Sequence, residues 1–457
     1  MLKKKLHIRS AQIIPLGFFA LIVVGTLLLL LPFATAPGEK TDVLTALFTA
    51  TTSVCVTGLV VVDTFSHWST FGHIVILLLI QLGGMGVIAV ASSFMMAIGK
   101  KITLRGKLLL RDAFNLNTTE GLGRFLLRVV RGTFIVEGIG ALLYMIAFIP
   151  KFGLKGIWIS VFTAVSAFCN AGIDIIGPNS LCDFWNDPLV LIVTMGLIVF
   201  GGLGFVVWFN LTEALRETVN PKKKIRRGFF ARLSEMSKLV LALTGVLILI
   251  GAVVVFVLEY DNKETLGEMP LFYKILNSFF QSVTFRTAGF ASVGQGGMRE
   301  ATSIFGDVLM FIGGSPVGTA GGVKTVTIFA ALLNVVAFIR DRNETVVFRR
   351  RIPEALIKKS HAIVAVSLGV AVTGTVLLLA THPQFGLADA LYEMFSATGT
   401  VGLTRGLTPR LNVFGRILVI ITMYFGRIGP ISMALFFNIS RPSDNDLHYA
   451  DGRYIVG

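Results

Sequence analysis

Four short, sparsely charged segments recur along this chain at almost constant spacing, and each ends on a glycine with an aromatic residue ten positions earlier. They read FTATTSVCVTG, FTAVSAFCNAG, FFQSVTFRTAG and YEMFSATGTVG, and they end at Gly58, Gly172, Gly289 and Gly402. The intervals between these glycines are 114, 117 and 113 residues. A period of this kind indicates one structural unit present four times. We predict that the repeats cover residues 1–112, 113–232, 233–354 and 355–457.

The composition places these repeats in a membrane. Hydrophobic residues make up 54% of the chain and charged residues 15%, whereas a soluble protein has about a quarter charged. Each repeat has two apolar stretches that can cross a bilayer as a helix, which takes about 20 residues. The eight predicted spans cover residues 10–38, 64–99, 125–150, 188–212, 239–258, 308–339, 360–388 and 411–440. The glycine segment of each repeat lies between its two spans.

The distribution of positive charge predicts the orientation. Of the 41 Lys and Arg residues, 29 fall in the two termini and in the three connections between repeats. Positive residues resist translocation, so both termini and these connections are expected on the cytoplasmic side. The glycine segments then open outward. The net charge of +15 follows from this topology with some attraction to anionic lipids, and no nucleic acid partner is expected.

The sequence has few features of an enzyme. It contains no phosphate-binding GxxxxGK[ST] loop and no HExxH pair, and its six histidines and three cysteines are scattered. We therefore do not expect an enzyme, nor a bound organic cofactor. A membrane enzyme or scaffold without ion flux remains the more distant alternative.

The repeated segments themselves indicate a pore. About ten helix-compatible residues precede each glycine, which is enough to enter a membrane halfway and return. Returning backbone is tolerated at that depth only where it lines a wet cavity or is buried in protein. The C-terminal ends of four such helices would favour a cation, and the following carbonyls could replace its water. We predict an all-α polytopic membrane protein with four span/pore-helix/span repeats, arranged pseudo-fourfold around one central pore. The alternative is that the glycines only permit tight packing or turns.

Six motifs carry a resemblance to a known family. They are VTGL at 56–59, NAGI at 170–173, RTAGF at 286–290, GTVGLT at 399–404, GGSPVGTAGGVKT at 313–325 and FGRIGP at 425–430. Over essentially its whole length the chain resembles the Trk/Ktr/HKT superfamily of cation transporters. It is most similar to the membrane (KtrB-like) subunit of bacterial Ktr potassium uptake systems.

The resemblance implies a selectivity filter with a K⁺ site at the four glycines. The residues that it assigns to ion binding are Val56, Thr57, Gly58, Asn170, Ala171, Gly172, Thr287, Ala288, Gly289, Thr400, Val401 and Gly402. Glycine at position 58 favours potassium, although Na⁺ remains possible. Because the four segments are unequal, fewer well-formed sites than in a symmetric channel are expected.

The second span of repeat 3 is predicted to be broken. Five glycines and Pro316 lie between Phe311 and Thr325, and a continuous helix there would be costly. The resemblance implies an intramembrane gate made of Gly313, Gly314, Ser315, Pro316, Gly318, Thr319, Gly321, Gly322 and Lys324, with Arg427 facing it. A simple kink is the alternative for the loop. A structural cap on broken-helix carbonyls is the alternative for Arg427, since an intramembrane charge needs partners.

Two further expectations concern buried groups outside the pore. Glu137 lies within a predicted span, and we expect Arg131 or Arg128 to pair with it. Glycine pairs at 83–84 and 201–202 are expected where the second spans begin, as helix-packing sites.

The resemblance also implies partners and a location. It predicts a homodimer in the bacterial cytoplasmic (inner) membrane, seated on a cytoplasmic RCK-type (KtrA-like) ring that binds ATP or ADP. The basic segments 222–232 and 340–351 contain Phe229, Phe230 and Phe348, which a solvated loop does not require, and they are candidate contacts with that ring. The alternative is that their charges face anionic lipid. The predicted function is potassium uptake through a channel-like pore, with activation by sodium as an open option. A sodium-translocating member of the superfamily is the alternative.

Overall fold

The computed structural model of the protein describes residues 10–86, 121–219 and 228–430, together with the isolated positions 92, 96, 108 and 433. The described chain is mostly helical. Its regular strands, Val346–Val347 and Arg350–Arg351, pair antiparallel in a small hairpin. Along the chain, a long first-span helix, a short pore helix and a second-span helix follow one another four times. This order agrees with the fold class predicted from the sequence.

The first-span helices are the long continuous ones. They run over Ser10–Leu29, Leu122–Phe152, Glu235–Glu259 and Glu354–Thr381. Within the described residues these are the four helices long and apolar enough to cross a membrane by themselves. Leu142 is 65% exposed and Val257 is 64% exposed, as expected for side chains that face lipid.

The pore helices are shorter and are packed inside the protein. They run over Val43–Cys55, Lys155–Cys169, Leu271–Phe285 and Leu387–Gly399. The repeated aromatic residue anchors each one: Phe48, Phe162 and Tyr392 are fully buried. In repeat 3 the buried ring belongs to Phe280, one position later, and this pore helix ends one residue earlier relative to its glycine.

Each second-span helix ends or is interrupted before the end of the span predicted from the sequence. The helices are Thr70–Met85, Pro188–Leu203, Val413–Ile428 and, in repeat 3, the pair Glu300–Phe311 and Thr325–Ile339. Three of them end at a glycine of nearly the same positive φ: Gly86 at 86°, Gly204 at 86° and Gly429 at 84°. The sequence predicted a break only in repeat 3, so this common interruption is a correction. At Gly204 the chain bends by 100° into the helix Phe205–Val219.

The glycine pairs also lie elsewhere than expected. Gly83, Gly84, Gly201 and Gly202 are in the last turns of their helices, not at the beginning. A methyl group on Gly83 would collide with the carbonyl of Val54, and one on Gly201 with that of Phe168. Gly83 and Gly201 therefore bring the second-span helices of repeats 1 and 2 against the end of the pore helix in their own repeat, whereas Gly84 packs on Cys169 of repeat 2.

The remaining described elements are short. Helical turns cover Thr64–His67, Cys182–Phe184, Gln295–Gly297 and Thr408–Arg410 in the connections after the pore helices, and Phe229–Arg232 precedes the third first-span helix. Most of the basic segment 222–232 and the predicted repeat boundary at residue 112 lie outside the described residues. The repeat boundaries stay predictions.

Candidate functional site

The four filter glycines lie together, although more than 100 residues separate each from the next along the chain. Each glycine packs against a backbone carbonyl of the following repeat. A methyl group on Gly172 would lie 2.5 Å from the Ala288 oxygen, and one on Gly289 would lie 2.6 Å from the Val401 oxygen. In the same way Gly58 abuts the carbonyl of Ala171, and Gly402 abuts that of Thr57. The contacts run from repeat 1 to 2, 3, 4 and back to 1, which makes a closed ring.

Two residues in each filter segment have a left-handed backbone conformation, with positive φ. In every repeat the glycine has positive φ, and so does the residue two positions earlier. These earlier residues are Val56 at 54°, Asn170 at 60°, Thr287 at 65° and Thr400 at 50°. A non-glycine residue in this region is uncommon, and four at one structural position mark a site where the surroundings dictate the conformation.

Hydroxyl groups from the pore helices hold three of the turns. Thr52 Oγ1 accepts a hydrogen bond from Gly58 N at 3.0 Å, and Ser396 Oγ accepts one from Gly402 N at 3.0 Å. Ser166 Oγ accepts one from Ile173 N at 3.1 Å. Sequence reasoning missed these residues, although a hydroxyl six positions before the glycine in three repeats was a readable signal.

Repeat 3 is held differently. Val283 occupies the position of the missing hydroxyl, and Thr284 Oγ1 instead donates to Phe290 O at 2.6 Å. Arg286 follows the pore helix and is buried, with its Nε lacking a hydrogen-bond partner in the described protein. The third segment is therefore the least like the others.

A cavity of about 460 Å³ lies against all four filter glycines. Its wall includes the carboxylates Asp63 and Asp174 as well as residues from the connections that follow the pore helices. Burial raises the pKa of Asp174 to about 6, against hydrogen bonds from Ser180 and Ile176 N that lower it. The cavity thus contains acidic groups directly beside the ring.

The glycine-rich segment of repeat 3 forms a closed loop. Its ends are pinned together, because Ile312 and Val323 form a parallel bridge and Gly313 N donates to Val323 O at 2.9 Å. The loop packs on the break in the second span of repeat 2. Ser315 N donates to Gly202 O at 2.9 Å, Thr319 N to Gly201 O at 3.1 Å, and Phe205 N to Val317 O at 3.0 Å.

The same loop touches the filter segments of two repeats. Thr319 Oγ1 lies 2.9 Å from Phe168 O and 3.2 Å from Asn170 Oδ1. On the other side, a methyl group on Gly321 would collide with Thr400 Oγ1. Of the predicted gate residues, Lys324 also contacts the loop itself, since its Nζ donates to Ala320 O at 2.6 Å.

Arg427 joins three repeats. Its Nη1 donates to Thr319 O in the loop at 2.5 Å, and its Nη2 donates to Gly83 O at 2.6 Å and Gly84 O at 3.2 Å. The Gly83 and Gly84 contacts with repeat 1 had no signal in the local sequence. The corresponding motif of repeat 4 is GRIG at 426–429. Arg427 therefore stands where repeat 1 has Gly84 in GGMG and repeat 2 has Gly202 in GGLG.

The expected partner of Glu137 is wrong. Its Oε2 accepts a hydrogen bond from Gln81 Nε2 at 3.2 Å, and Cys169 Sγ lies 3.9 Å from Oε1. Arg128 instead lies over the Phe209 ring, 5.2 Å from its centroid. Glu137 is a buried carboxyl held by an amide and a thiol.

Similar proteins identify the family of this chain. The chain is 38% identical to Ktr system potassium uptake protein B of Bacillus subtilis, over 98% of this chain and 96% of the relative. It is also 38% identical to the potassium/sodium uptake protein NtpJ of Enterococcus hirae, over 94% of this chain and 93% of the relative.

A solved structure supports the fold. The potassium transporter TrkH from Vibrio parahaemolyticus superposes with a TM-score of 0.72 at 17% identity, and the match covers 95% of this chain and 86% of that one. The family model TrkH, described as a cation transport protein, matches residues 9–449. These matches confirm the predicted family, and they confirm that the chain is a transporter and not an enzyme. The chain is a multi-pass membrane protein that belongs to the TrkH family of cation transport proteins.

Proposed function

We propose that this protein takes up potassium along a path that crosses the ring of four filter segments. The observation that carries the proposal is the closed set of contacts in which each filter glycine abuts a carbonyl of the next repeat. Such contacts bring backbone oxygens of all four repeats to one place. Carbonyl oxygens that surround a dehydrated monovalent cation replace its water.

The pore helices support this ring electrostatically. All four end just before the filter, so their C-terminal ends point toward it. The C-terminal end of a helix carries a partial negative charge of about half an elementary charge. Asp63 and Asp174 add acidic groups to the cavity beside the ring. Both features raise the local concentration of cations and disfavour anions.

The loop between Ile312 and Lys324 is proposed as the gate. Its contacts with the filter segments of repeats 2 and 4 support a position across the proposed ion path. Non-helical backbone of this kind at membrane depth is tolerated where it lines a cavity or transport path. Arg427 holds the loop through Thr319 and places a fixed positive charge beside it.

One relative is named a potassium/sodium uptake protein, so sodium is a second candidate substrate. Sodium transport by the same path is the alternative. Comparison of rubidium and sodium fluxes in proteoliposomes distinguishes the two, because rubidium replaces potassium in such filters.

The proposed regulation involves other chains. The resemblance to Ktr uptake systems supports a homodimer and a cytoplasmic RCK-type ring that binds ATP or ADP. The hairpin around Phe348 suits a contact with such a partner, because Phe348 is about half exposed and three arginines follow it. The charge distribution supports a location in the bacterial cytoplasmic membrane with both termini inside.

Growth of a potassium-uptake-deficient bacterium at low external potassium tests the proposal. The full chain is expected to restore growth, and Gly402→Ser is expected to abolish the rescue because a side chain there collides with Thr57 O. Gly58→Ser is expected to weaken it, because a side chain there collides with Ala171 O. The matched control is Gly406→Ser, whose φ is also positive at 88° but whose surroundings are open. Full rescue by Gly402→Ser at normal membrane levels would refute the proposed ion path.

A further inference from the structure

The residue two positions after each filter glycine lines the cavity beside the ring. These four residues are Val60, Asp174, Ala291 and Thr404. The four repeats therefore meet the cavity through side chains of different chemistry. Among these four residues, Thr404 is the one whose side chain is bonded to a buried carboxyl group of its own pore helix.

The hydroxyl group of Thr404 uses all of its bonding capacity. Its oxygen accepts from three backbone N–H groups, those of Gly406 at 3.2 Å, Leu407 at 3.1 Å and Thr408 at 3.4 Å. Its single hydrogen is donated to Glu393 Oε2 at 2.6 Å. Because a hydroxyl has one hydrogen and two lone pairs, the group at position 393 has to supply an acceptor.

Glu393 supplies two acceptors at the centre of the pore helix Leu387–Gly399, where it is fully buried. Its Oε2 accepts from Thr404, and its Oε1 accepts from Thr408 Oγ1. A buried carboxyl group is costly unless its oxygens have hydrogen-bond partners. Both partners belong to the segment that follows the filter, so Glu393 connects the pore helix to that segment.

The same helix also holds the filter itself. Ser396 Oγ accepts from Gly402 N at 3.0 Å, and residues three apart lie on one face of a helix. The backbone from Gly402 to Thr404 is thus fixed at both of its ends. In repeat 2 the position of Glu393 is taken by Thr163, whose Oγ1 lacks a hydrogen-bond partner among the described residues. The second hold is therefore a feature of repeat 4 that repeat 2 does not share.

Arg405 fastens the same turn from the side. Its Nε donates to Asp389 Oδ1 at 2.6 Å, and its Nη1 donates to Met298 O of repeat 3 at 3.0 Å. These bonds do not involve Glu393. Loss of the Glu393 bond should therefore loosen the turn around Thr404 without releasing it from the protein.

We propose that Glu393 is a positioning residue for ion discrimination. Through Thr404 it fixes the cavity side of the fourth filter segment, so that the carbonyls there keep a spacing suited to potassium. A looser segment can close around the smaller sodium ion, because carbonyls that move can replace the water of either cation. The proposal rests on the proposed ion path and adds a residue outside the filter that sets its selectivity.

The test measures rubidium and sodium influx into proteoliposomes of the full chain at one imposed membrane potential. Glu393→Met removes both acceptors at similar length. Glu393→Gln keeps one oxygen, which can face Thr404 while the amide nitrogen donates to Thr408. Thr404→Val removes the hydroxyl at the cavity. Thr408→Val is the matched control, because it breaks the other bond of the same carboxyl group and Thr408 is buried away from the cavity wall.

Glu393→Met and Thr404→Val are expected to lower the ratio of rubidium to sodium influx about fivefold, which corresponds to about 1 kcal/mol. Faster sodium influx should account for most of the change. Glu393→Gln and Thr408→Val are expected to keep the ratio within about twofold of the parent, since the bond to Thr404 survives in both. Thermal melting in detergent confirms that each variant is folded.

An unchanged ratio in folded Thr404→Val would overturn the proposal, and this variant decides the matter if Glu393→Met does not fold. Glu393→Gln with a fall as large as that of Glu393→Met would also overturn it, because the effect would then belong to the buried charge. Equal falls in Thr404→Val and Thr408→Val would do the same, since they would indicate a general loss of stability. An error confined to Glu393 leaves the block by Gly402→Ser in place, whereas failure of the proposed ion path removes that block.

Discussion

Replacement of Arg427 tests whether the loop is a gate or only a kink in the second span. Its guanidinium makes one hydrogen bond to the loop, at Thr319 O, and two to repeat 1, at Gly83 O and Gly84 O. Of these three bonds, only the one to Thr319 connects Arg427 to the loop and opposes movement of the loop. The two others fix the arginine itself, so their loss affects stability more than gating.

The bond to Thr319 sets the size of the expected effect. A hydrogen bond from a charged donor contributes about 1.5–3 kcal/mol. If the loop opens only when this bond breaks, Arg427→Ala raises the open population by about 10- to 150-fold, since about 1.4 kcal/mol is a factor of ten. Removal of the positive charge beside the path lowers the barrier for a cation further.

Rubidium uptake into proteoliposomes that contain only this chain measures the effect. Arg416→Ala is the matched control, because Arg416 lies on the same helix but binds Leu411 O and Thr45 Oγ1, away from the loop. Arg427→Lys keeps the charge but cannot span the three carbonyls, so an intermediate flux is expected. A folded Arg427→Ala protein with the flux of the parent would refute the gating role and support a purely structural cap.

Three further predictions concern the loop, the cavity and the buried carboxyl. Deletion of residues 313–322 should raise rubidium flux, because it joins Ile312 to Val323, which are already paired; unchanged or lower flux in a folded protein would count against a gate. Uptake at low potassium should fall, on the order of threefold, as the external pH drops below about 6, because Asp174 loses its charge there. Asp174→Asn should remove that step, and its persistence would assign it to another group. Glu137→Gln should melt close to the parent while Glu137→Ala loses on the order of 1–3 kcal/mol; the reverse order would mean that the negative charge itself is needed.

The family and the pore architecture were predictable because the signals are local and repeated. Each repeated segment has an aromatic residue ten positions before a glycine, and the period of the four copies is visible without a structure. The break in repeat 3 was also predictable from the sequence, because glycine and proline destabilise a helix at their own positions.

The remaining contacts depend on residues far apart in the chain. The bonds of Arg427 to Gly83 and Gly84 connect positions more than 340 residues apart, and those of Thr319 to Phe168 and Asn170 connect positions about 150 apart. No local pattern encodes such pairs. Glu137 shows the opposite error, because Arg131 and Arg128 are near in sequence but the carboxyl faces Gln81.

The head-to-tail contact of Gly402 with Thr57 has an evolutionary consequence. In an assembly of four identical subunits, any change in one gene appears on every side of the pore at once. Here each quarter of the pore can mutate separately, so an asparagine can stand on one side while a valine stands on another. A mutation in this gene can thereby change one of the four filter segments and leave the other three unchanged, which is impossible in a symmetric tetramer.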